Sequence, residues 1–211
     1  MPRTPSDSAA RFLPLDPSLP ALRDAAAGCT ACPLHLTGTQ TVFGEGSTGA
    51  TIMLVGEQPG DQEDLQGRPF VGPAGQLFDR ALGEAGVDRS RTYVTNAVKH
   101  FKFEARGKRR IHSKPNGPEI DACRWWIEQE RILIRPPITV ALGATAARSL
   151  FGKVVTISAM RGRPQQAYDG GEAWVTVHPS FLLRVRDNRE EEYARFVEDL
   201  RAIGERAKSL A

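Results

Sequence analysis

Short apolar runs rich in β-branched residues alternate along this chain with segments whose apolar residues have helical spacing. The runs predict four strands, at Thr51–Val55, Thr92–Val98, Ile138–Leu142 and Ala173–Val177. The helical spacing predicts helices over Leu77–Ala85, Glu119–Ile134, Ala144–Phe151 and Glu190–Ala207. Strands that alternate with helices are typical of a parallel sheet with crossover helices, so we predict an α/β fold.

Polar loops marked by glycine or proline follow all four predicted strands. They are Gly56–Gly60, the stretch that begins at Asn96, Gly143–Thr145 and His178–Ser180. Ligands of open α/β sheets bind beyond the carboxyl ends of the strands. The four loops therefore predict one shared crevice, without naming its chemistry.

Length and composition fit a single globular domain. The chain has 211 residues, 40% of them hydrophobic and 25% charged, and no apolar stretch approaches the roughly 18 residues of a membrane span. The segment Met1–Pro20 is rich in Pro, Ser and Asp and lacks the apolar core of a signal peptide. We predict a flexible leader over residues 1–20, one domain over 21–211, and a cytoplasmic, nucleoid-associated protein.

The positive charge is concentrated in one segment. Lys99–Lys114 carries seven Lys or Arg against one Glu, so it is +6 while the rest of the chain is about −3. A local positive field on a neutral body is expected where a protein contacts phosphates. A solvated loop without a partner would have the same composition.

Three cysteines, Cys29, Cys32 and Cys123, are too few for a disulfide framework without a remainder. A Cys-x-x-Cys pair in a reducing compartment indicates metal or redox chemistry. A tetrahedral zinc or a cubane cluster needs a fourth ligand, for which His35 and His100 are the candidates. The spacing does not choose between zinc and an iron–sulfur cluster.

Four motifs in order resemble the uracil-DNA glycosylase superfamily, in particular its family-four-like branch and, within that branch, the UdgX enzymes. The resemblance covers about residues 29 to 205. It implies a three-layer α/β/α sandwich with a central four-stranded parallel sheet. The matching motifs are Gly56–Gly60, Gly67–Gly75, Val94–Lys99 and His178–Arg184.

Three features depart from the usual family-four pattern and resemble UdgX. Gln58 stands where alanine is usual, His100 stands where the third cluster cysteine is expected, and the longer segment Glu104–Ser113 contains Lys-Arg-Arg-Ile-His. The resemblance implies a [4Fe–4S] cluster of structural importance. Its predicted ligands are Cys29, Cys32, His100 and Cys123.

The resemblance also implies a pocket for a flipped uracil, since a base inside a duplex cannot be reached. Phe70 is the predicted stacking surface. The Asn96 amide can donate and accept at once, which matches O4 and N3–H of uracil but not cytosine. His178 is predicted to hydrogen-bond O2 and to stabilise the departing uracil anion.

The UdgX-like segment predicts that His112 attacks the sugar carbon C1′ and remains bonded to it. Neutral imidazole is nucleophilic, and Glu57 would orient the ring and stabilise the imidazolium. Gln58 is predicted to orient either this loop or the uracil edge. Asp61 and Asp64 are predicted to position the loop or a water, or else to be charges at a helix start.

The predicted partner is uracil-containing DNA, preferably single-stranded, bound by a monomer. Two alternatives stay open: a hydrolytic glycosylase that turns over, in which His112 only contacts DNA, and a non-catalytic iron–sulfur module that binds damaged DNA. Leu182, Leu183 and Arg184 are predicted to probe the duplex and to fill the gap left by the flipped base. The predicted phosphate contacts are Lys108, Arg109 and Arg110.

Overall fold

The computed structural model describes residues 9–210. Its centre is a six-stranded sheet in the order β1-β3-β2-β6-β8-β7. The four inner strands run parallel, as predicted, and a short antiparallel strand flanks each edge, which the sequence did not predict. The strands are β1 (Glu45–Gly46), β2 (Ile52–Gly56), β3 (Thr92–Asn96), β4 (Phe103–Arg106), β5 (Arg109–His112), β6 (Ile138–Leu142), β7 (Gln165–Gln166) and β8 (Glu172–Thr176).

Helices cover both faces of the sheet. Alternate residues of β2 point to opposite sides, so Leu54 joins one apolar core with α3 and α8 while Met53 joins another with α4 and α5. This arrangement is the three-layer α/β/α sandwich. The helices are α1 (Leu19–Ala27), α2 (Asp61–Gln66), α3 (Pro73–Glu84), α4 (Gly117–Ile134), α5 (Ala144–Phe151), α6 (Ile157–Met160), α7 (Pro179–Arg184) and α8 (Arg189–Ser209). No helix within residues 9–210 is both long and apolar enough to cross a membrane.

The basic segment is a β-hairpin and not the loop that its charge suggested. Strands β4 and β5 pair antiparallel, with Phe103 opposite His112, in a two-stranded sheet separate from the central one. Gly107, with φ of 61°, allows the tight turn between them. The hairpin follows β3 and therefore rises from the carboxyl end of the central sheet.

A third core cluster joins the N-terminal segment to helix α4. Ala9 is fully buried in it, in a 3-10 turn at Ala9–Phe12, and Ser18 caps the start of α1. Of the leader predicted over residues 1–20, residues 1–8 lie outside the described part. The structure packs Ala9 against the domain, which differs from a leader that stands free of it.

Lys99, the first residue of the basic segment, is buried. Its Nζ lies 2.7 Å from Glu130 Oε2 of α4, and both side chains are fully enclosed. Nζ also donates to the Asn96 carbonyl oxygen at 3.1 Å. Tyr93 and Thr95 donate to Glu130 as well, so the carboxylate is hydrogen-bonded on both oxygens, as a buried charge requires.

Candidate active site

A cavity of about 630 Å³ opens at the carboxyl ends of the four parallel strands. This is the edge at which the sequence predicted a crevice. The predicted uracil-binding and catalytic residues all line it. They are Glu57, Gln58, Phe70, Asn96, His112 and His178.

Glu57 follows β2 and reaches two neighbours with its two oxygens. Oε1 lies 3.3 Å from His112 Nε2, and Oε2 accepts a hydrogen bond of 2.5 Å from the Thr145 hydroxyl. Burial acts to raise the pKa of Glu57, but hydrogen bonds from His112 and Thr145 and the nearby imidazoles of His112 and His178 bring it below its ordinary value. The carboxylate is therefore ionised where it meets the His112 ring.

His112 ends strand β5 at the mouth of the cavity. Its side chain is 46% exposed, so a ligand can approach the ring. The Phe101 ring packs at 6.2 Å from the His112 ring and is itself buried. The histidine is thus supported on one side and open to the cavity on the other.

Gln58 holds the base of the hairpin from below. Its side-chain nitrogen donates to the carbonyl oxygens of Lys102 and Ser113, each at 3.1 Å. Its side-chain oxygen accepts from the Lys102 backbone N–H, also at 3.1 Å. Lys102 and Ser113 flank the hairpin, so the Gln58 amide ties both of its ends to the loop that carries Glu57.

Arg110 anchors the hairpin from its side. The guanidinium donates to Asp61 Oδ1 and to Asp64 Oδ2, each at 2.6 Å, and lies over the Phe101 and Phe103 rings. Asp64 is fully buried. Both aspartates thus contact the hairpin through Arg110, whose predicted role was a phosphate contact.

His178 caps the start of helix α7 and accepts a hydrogen bond from the Ser180 backbone N–H at 3.1 Å through Nδ1. Burial lowers its pKa to about 4, so the ring is neutral at physiological pH. With Nδ1 accepting, the ring proton is on Nε2. That nitrogen can donate to a ligand carbonyl.

Phe70 and Asn96 form the inner part of the cavity. Phe70 adopts a φ of 59°, unusual for a bulky residue, and its ring is stacked 6.3 Å from the His178 ring. Asn96 is buried at the end of β3. A Cβ atom on Gly56 would lie 2.3 Å from Asn96 Oδ1 and 2.8 Å from Phe70 Cζ, so glycine is needed there.

Leu182 does not reach the cavity. It is fully buried in the core shared with α3 and α8, which corrects its prediction as a DNA contact. Helix α7 turns Leu183 and Phe181 outward instead, about 40% exposed beside the cavity. The signal that could have distinguished buried Leu182 from exposed Leu183 is the direction in which successive side chains of a helix point.

Ion pairs neutralise much of the basic segment. Four of its seven Lys and Arg contact carboxylates within 4 Å: Lys99, Lys102, Arg106 and Arg110. Lys108 and Arg109, at the exposed end of the hairpin, and Lys114, which lines the cavity, have no ion pair of this kind within the described residues. The sequence could not separate the two groups, because the acidic partners of Lys99, Lys102 and Arg110 lie in other elements.

The three cysteines meet in the third core cluster. Cys29, Cys32 and Cys123 are buried there. Trp126 Nε1–H donates to Cys29 Sγ and the Lys99 backbone N–H donates to Cys123 Sγ, and sulfur ligands of clusters receive such bonds. Burial raises the pKa of the Cys32 and Cys123 thiols, so they stay protonated unless a cation is bound.

The predicted fourth ligand does not complete a metal site in this conformation. His100 is buried, with its pKa lowered to about 4 by burial and by the His35 ring. Within residues 9–210, no group of three or more His, Cys, Asp or Glu side chains could hold a metal ion as arranged. The three cysteines lie in one buried core cluster without forming a metal site as arranged, so a cluster held by them and its ligation by His100 both stay predictions.

A protein-family model identifies the superfamily of this chain. The model of the uracil DNA glycosylase superfamily matches residues 43–201, which include all four parallel strands and the hairpin. The chain belongs to the uracil DNA glycosylase superfamily. The α/β/α sandwich is thus the fold of that superfamily.

Curated relatives in the superfamily cover most of this chain. A type-4 uracil-DNA glycosylase of Thermotoga maritima is 44% identical over 185 residues, which are 86% of this chain and 88% of the relative. The enzyme of the same type from Pyrobaculum aerophilum is 36% identical, over 74% of this chain and 80% of the relative. The type-4 enzyme of Archaeoglobus fulgidus is 34% identical, over 84% of this chain and 87% of the relative.

Proposed function

We propose that this protein is a DNA-repair glycosylase that excises uracil from DNA and then remains covalently bound to the abasic deoxyribose through His112. Excision is supported by the type-4 relatives and by the composition of the cavity. The observation that carries the covalent step is the position of the His112 ring, which lines the cavity with a carboxylate oxygen 3.3 Å from Nε2.

Uracil would be read by donors and acceptors fixed before it enters. Phe70 offers a ring face for stacking, and the Asn96 amide pairs with O4 and N3–H. His178 Nε2–H donates to O2, and because the imidazole is neutral it would stabilise the departing anion through this hydrogen bond and not by transfer of its proton. Cytosine presents the opposite pattern at position 4, which leaves buried groups mismatched.

Cleavage and capture can be written as one balanced exchange. The C1′–N1 bond breaks and its electron pair leaves with uracil. Uracil departs as an anion, which the His178 N–H stabilises. The lone pair of the unprotonated ring nitrogen of His112 forms the new N–C1′ bond. The ring becomes an imidazolium that keeps the proton on its other nitrogen, and Glu57 balances the charge.

The Gln58 contacts support the covalent reading over simple hydrolysis. An alanine at position 58 would make none of the three hydrogen bonds to Lys102 and Ser113. Gln58 and the hairpin are two features by which this chain resembles UdgX, and the hydrogen bonds join them physically. We infer that Gln58 orients the hairpin and so presents the His112 ring to the sugar.

DNA would be held at the rim of the cavity. Lys108, Arg109 and Arg184 are exposed there or on the adjoining hairpin and suit phosphate contacts. Leu183, and not Leu182, suits the role of filling the gap left by the flipped base. Preference for single-stranded DNA and a monomeric state stay predictions.

A structural [4Fe–4S] cluster is the proposed cofactor. Cys29, Cys32 and Cys123 would hold it, with His100 as the proposed fourth ligand. When bound, the cluster would cross-link the N-terminal segment to helix α4. It would take no part in the excision itself.

A denaturing gel tests the proposal. Incubation with a uracil-containing single-stranded oligonucleotide should give a protein–DNA band that survives heating, together with about one uracil released per protein. The His112→Ala variant should lose the band. Repeated turnover without a band would leave a hydrolytic glycosylase, and DNA binding without uracil release would leave a non-catalytic module.

A further inference from the structure

Thr145 contacts the catalytic carboxylate from the side opposite His112. It is the second residue of α5 and is buried, and its hydroxyl donates to Glu57 Oε2 at 2.5 Å. The sequence placed it in one of the four polar loops but gave it no role. It lies at the start of the helix that follows β6, whereas Glu57 lies in the loop after β2, so the bond joins two segments at the carboxyl end of the sheet.

The two contacts of Glu57 use different oxygens. A carboxylate is planar, and a bond to one oxygen limits its rotation and fixes where the other oxygen points. With Oε2 bound to Thr145, Oε1 faces the His112 ring at 3.3 Å. The carboxylate also lies at the first turn of α5, where the helix dipole favours negative charge.

We propose that Thr145 is a positioning residue, whose hydroxyl fixes the Glu57 carboxylate in the orientation that serves His112. The inference rests on the proposed function, because it concerns the same covalent step. Thr145 would touch neither the uracil nor the sugar. It acts through Glu57.

The same hydrogen bond affects the charge state of Glu57. Burial raises the pKa of this carboxyl, while hydrogen bonds from His112 and Thr145 lower it, as do the imidazoles of His112 and His178. Loss of the hydroxyl removes one of the lowering contributions. The pKa of Glu57 then rises, and a higher pH is needed to ionise it.

The test compares Thr145→Val, which removes the hydroxyl at nearly constant size, with Thr145→Ser, which keeps it. Single-turnover rates of adduct formation and uracil release are measured from pH 4 to 9 on the full chain with a single-stranded uracil oligonucleotide. The valine variant should form the adduct at least about 10-fold more slowly at pH 6, as expected for a hydrogen bond to a charged group. Its rate should rise at higher pH than that of the wild type, and serine should restore most of the rate.

Ser149→Ala is the matched control. Ser149 lies in the same helix, and its buried hydroxyl has no hydrogen-bond partner among the described residues. This variant should keep the wild-type rates and pH profile. If Thr145→Val does not fold by circular dichroism, Thr145→Ala is measured in its place.

Two failures can be told apart. If the wild type releases uracil but forms no adduct, the covalent function itself fails, whatever Thr145 does. If the wild type forms the adduct and the valine variant keeps both its rate and its pH profile, the positioning role is overturned. A serine variant as slow as the valine variant would also overturn it, because the methyl group and not the hydroxyl would then matter.

Discussion

Gly56, at the end of β2, packs directly against Asn96 and Phe70, two residues that line the cavity. A Cβ there would come within 2.3 Å of Asn96 Oδ1 and 2.8 Å of Phe70 Cζ. We expect Gly56→Ala to displace both groups and to reduce uracil release about 100-fold, the scale associated with a misplacement of about 1 Å. Single-turnover uracil release measures the effect.

Gly83→Ala controls for the change from glycine to alanine. A Cβ on Gly83 has no neighbour within 4 Å among the described residues, and Gly83 lies in helix α3, where alanine is favoured by about 0.5–1 kcal/mol. This variant should keep its activity and unfold at slightly higher urea. Equal activity of the Gly56 variant and the wild type would show that Asn96 and Phe70 can shift without loss of uracil release.

At the scale of single elements, the hairpin that carries His112 depends on Gln58. In Gln58→Ala, the Lys102 N–H and the Ser113 carbonyl lose the Gln58 amide, and the Lys102 carbonyl keeps only its bond from the Ser113 N–H. We expect the hairpin to loosen and the ratio of adduct to free uracil to fall about 10-fold or more. Both products are quantified in one reaction, on a denaturing gel and by chromatography.

Gln58→Glu tests whether the amide group is required or whether a side chain of the same length is enough. Its carboxylate would face the same two carbonyl oxygens without an N–H to donate, so it should lose the adduct as the alanine variant does. A ratio that stays at the wild-type level in both variants would mean that the hairpin is held without Gln58.

The sequence predicted the regular elements better than the irregular ones. Strand Ile138–Leu142 and helix Ala144–Phe151 match the structure at both ends, because each has a continuous apolar pattern bounded by Pro or Gly. Helix α3 begins at Pro73 and not at Leu77, since its first turn is nearly without apolar residues. Strands β1 and β7, of two residues each, carry no pattern that could predict them.

The residues of the cavity were predicted because each follows a strand or belongs to a motif. What the sequence could not predict is which charges meet. Arg110 looked like a phosphate contact within a basic run, yet it pairs with Asp61 and Asp64 of helix α2. The misassigned Leu182 and its exposed neighbour Leu183 differ only in the direction that helix α7 gives them.

At the scale of the whole molecule, the N-terminal segment packs on helix α4 through the third core cluster. We call its three cysteines, Cys29, Cys32 and Cys123, the cysteine cluster. We expect the purified protein to absorb visible light as an iron–sulfur protein does, and Cys123→Ser to lose that absorption. The variant should also melt at least about 5 °C lower, the shift that roughly 2 kcal/mol produces in a domain of this size. Absorption spectra, iron and zinc analysis and thermal melts measure these effects.

A colourless wild type that contains zinc would contradict the iron–sulfur assignment. Uracil release would be unaffected by that outcome, since Glu57, Asn96 and His178 lie in the cavity and not in the cysteine cluster. The cofactor and the catalytic proposal can therefore fail separately.

The enclosed pair Lys99–Glu130 restricts how this chain can change over evolutionary time. Loss of either partner strands a charge in the interior, at a cost of roughly 3–5 kcal/mol. Replacement of both by apolar residues would in turn leave the buried hydroxyls of Tyr93 and Thr95 without the Glu130 acceptor, so neither position can change easily. The end of β3, where Asn96 stands, is joined by this pair to helix α4.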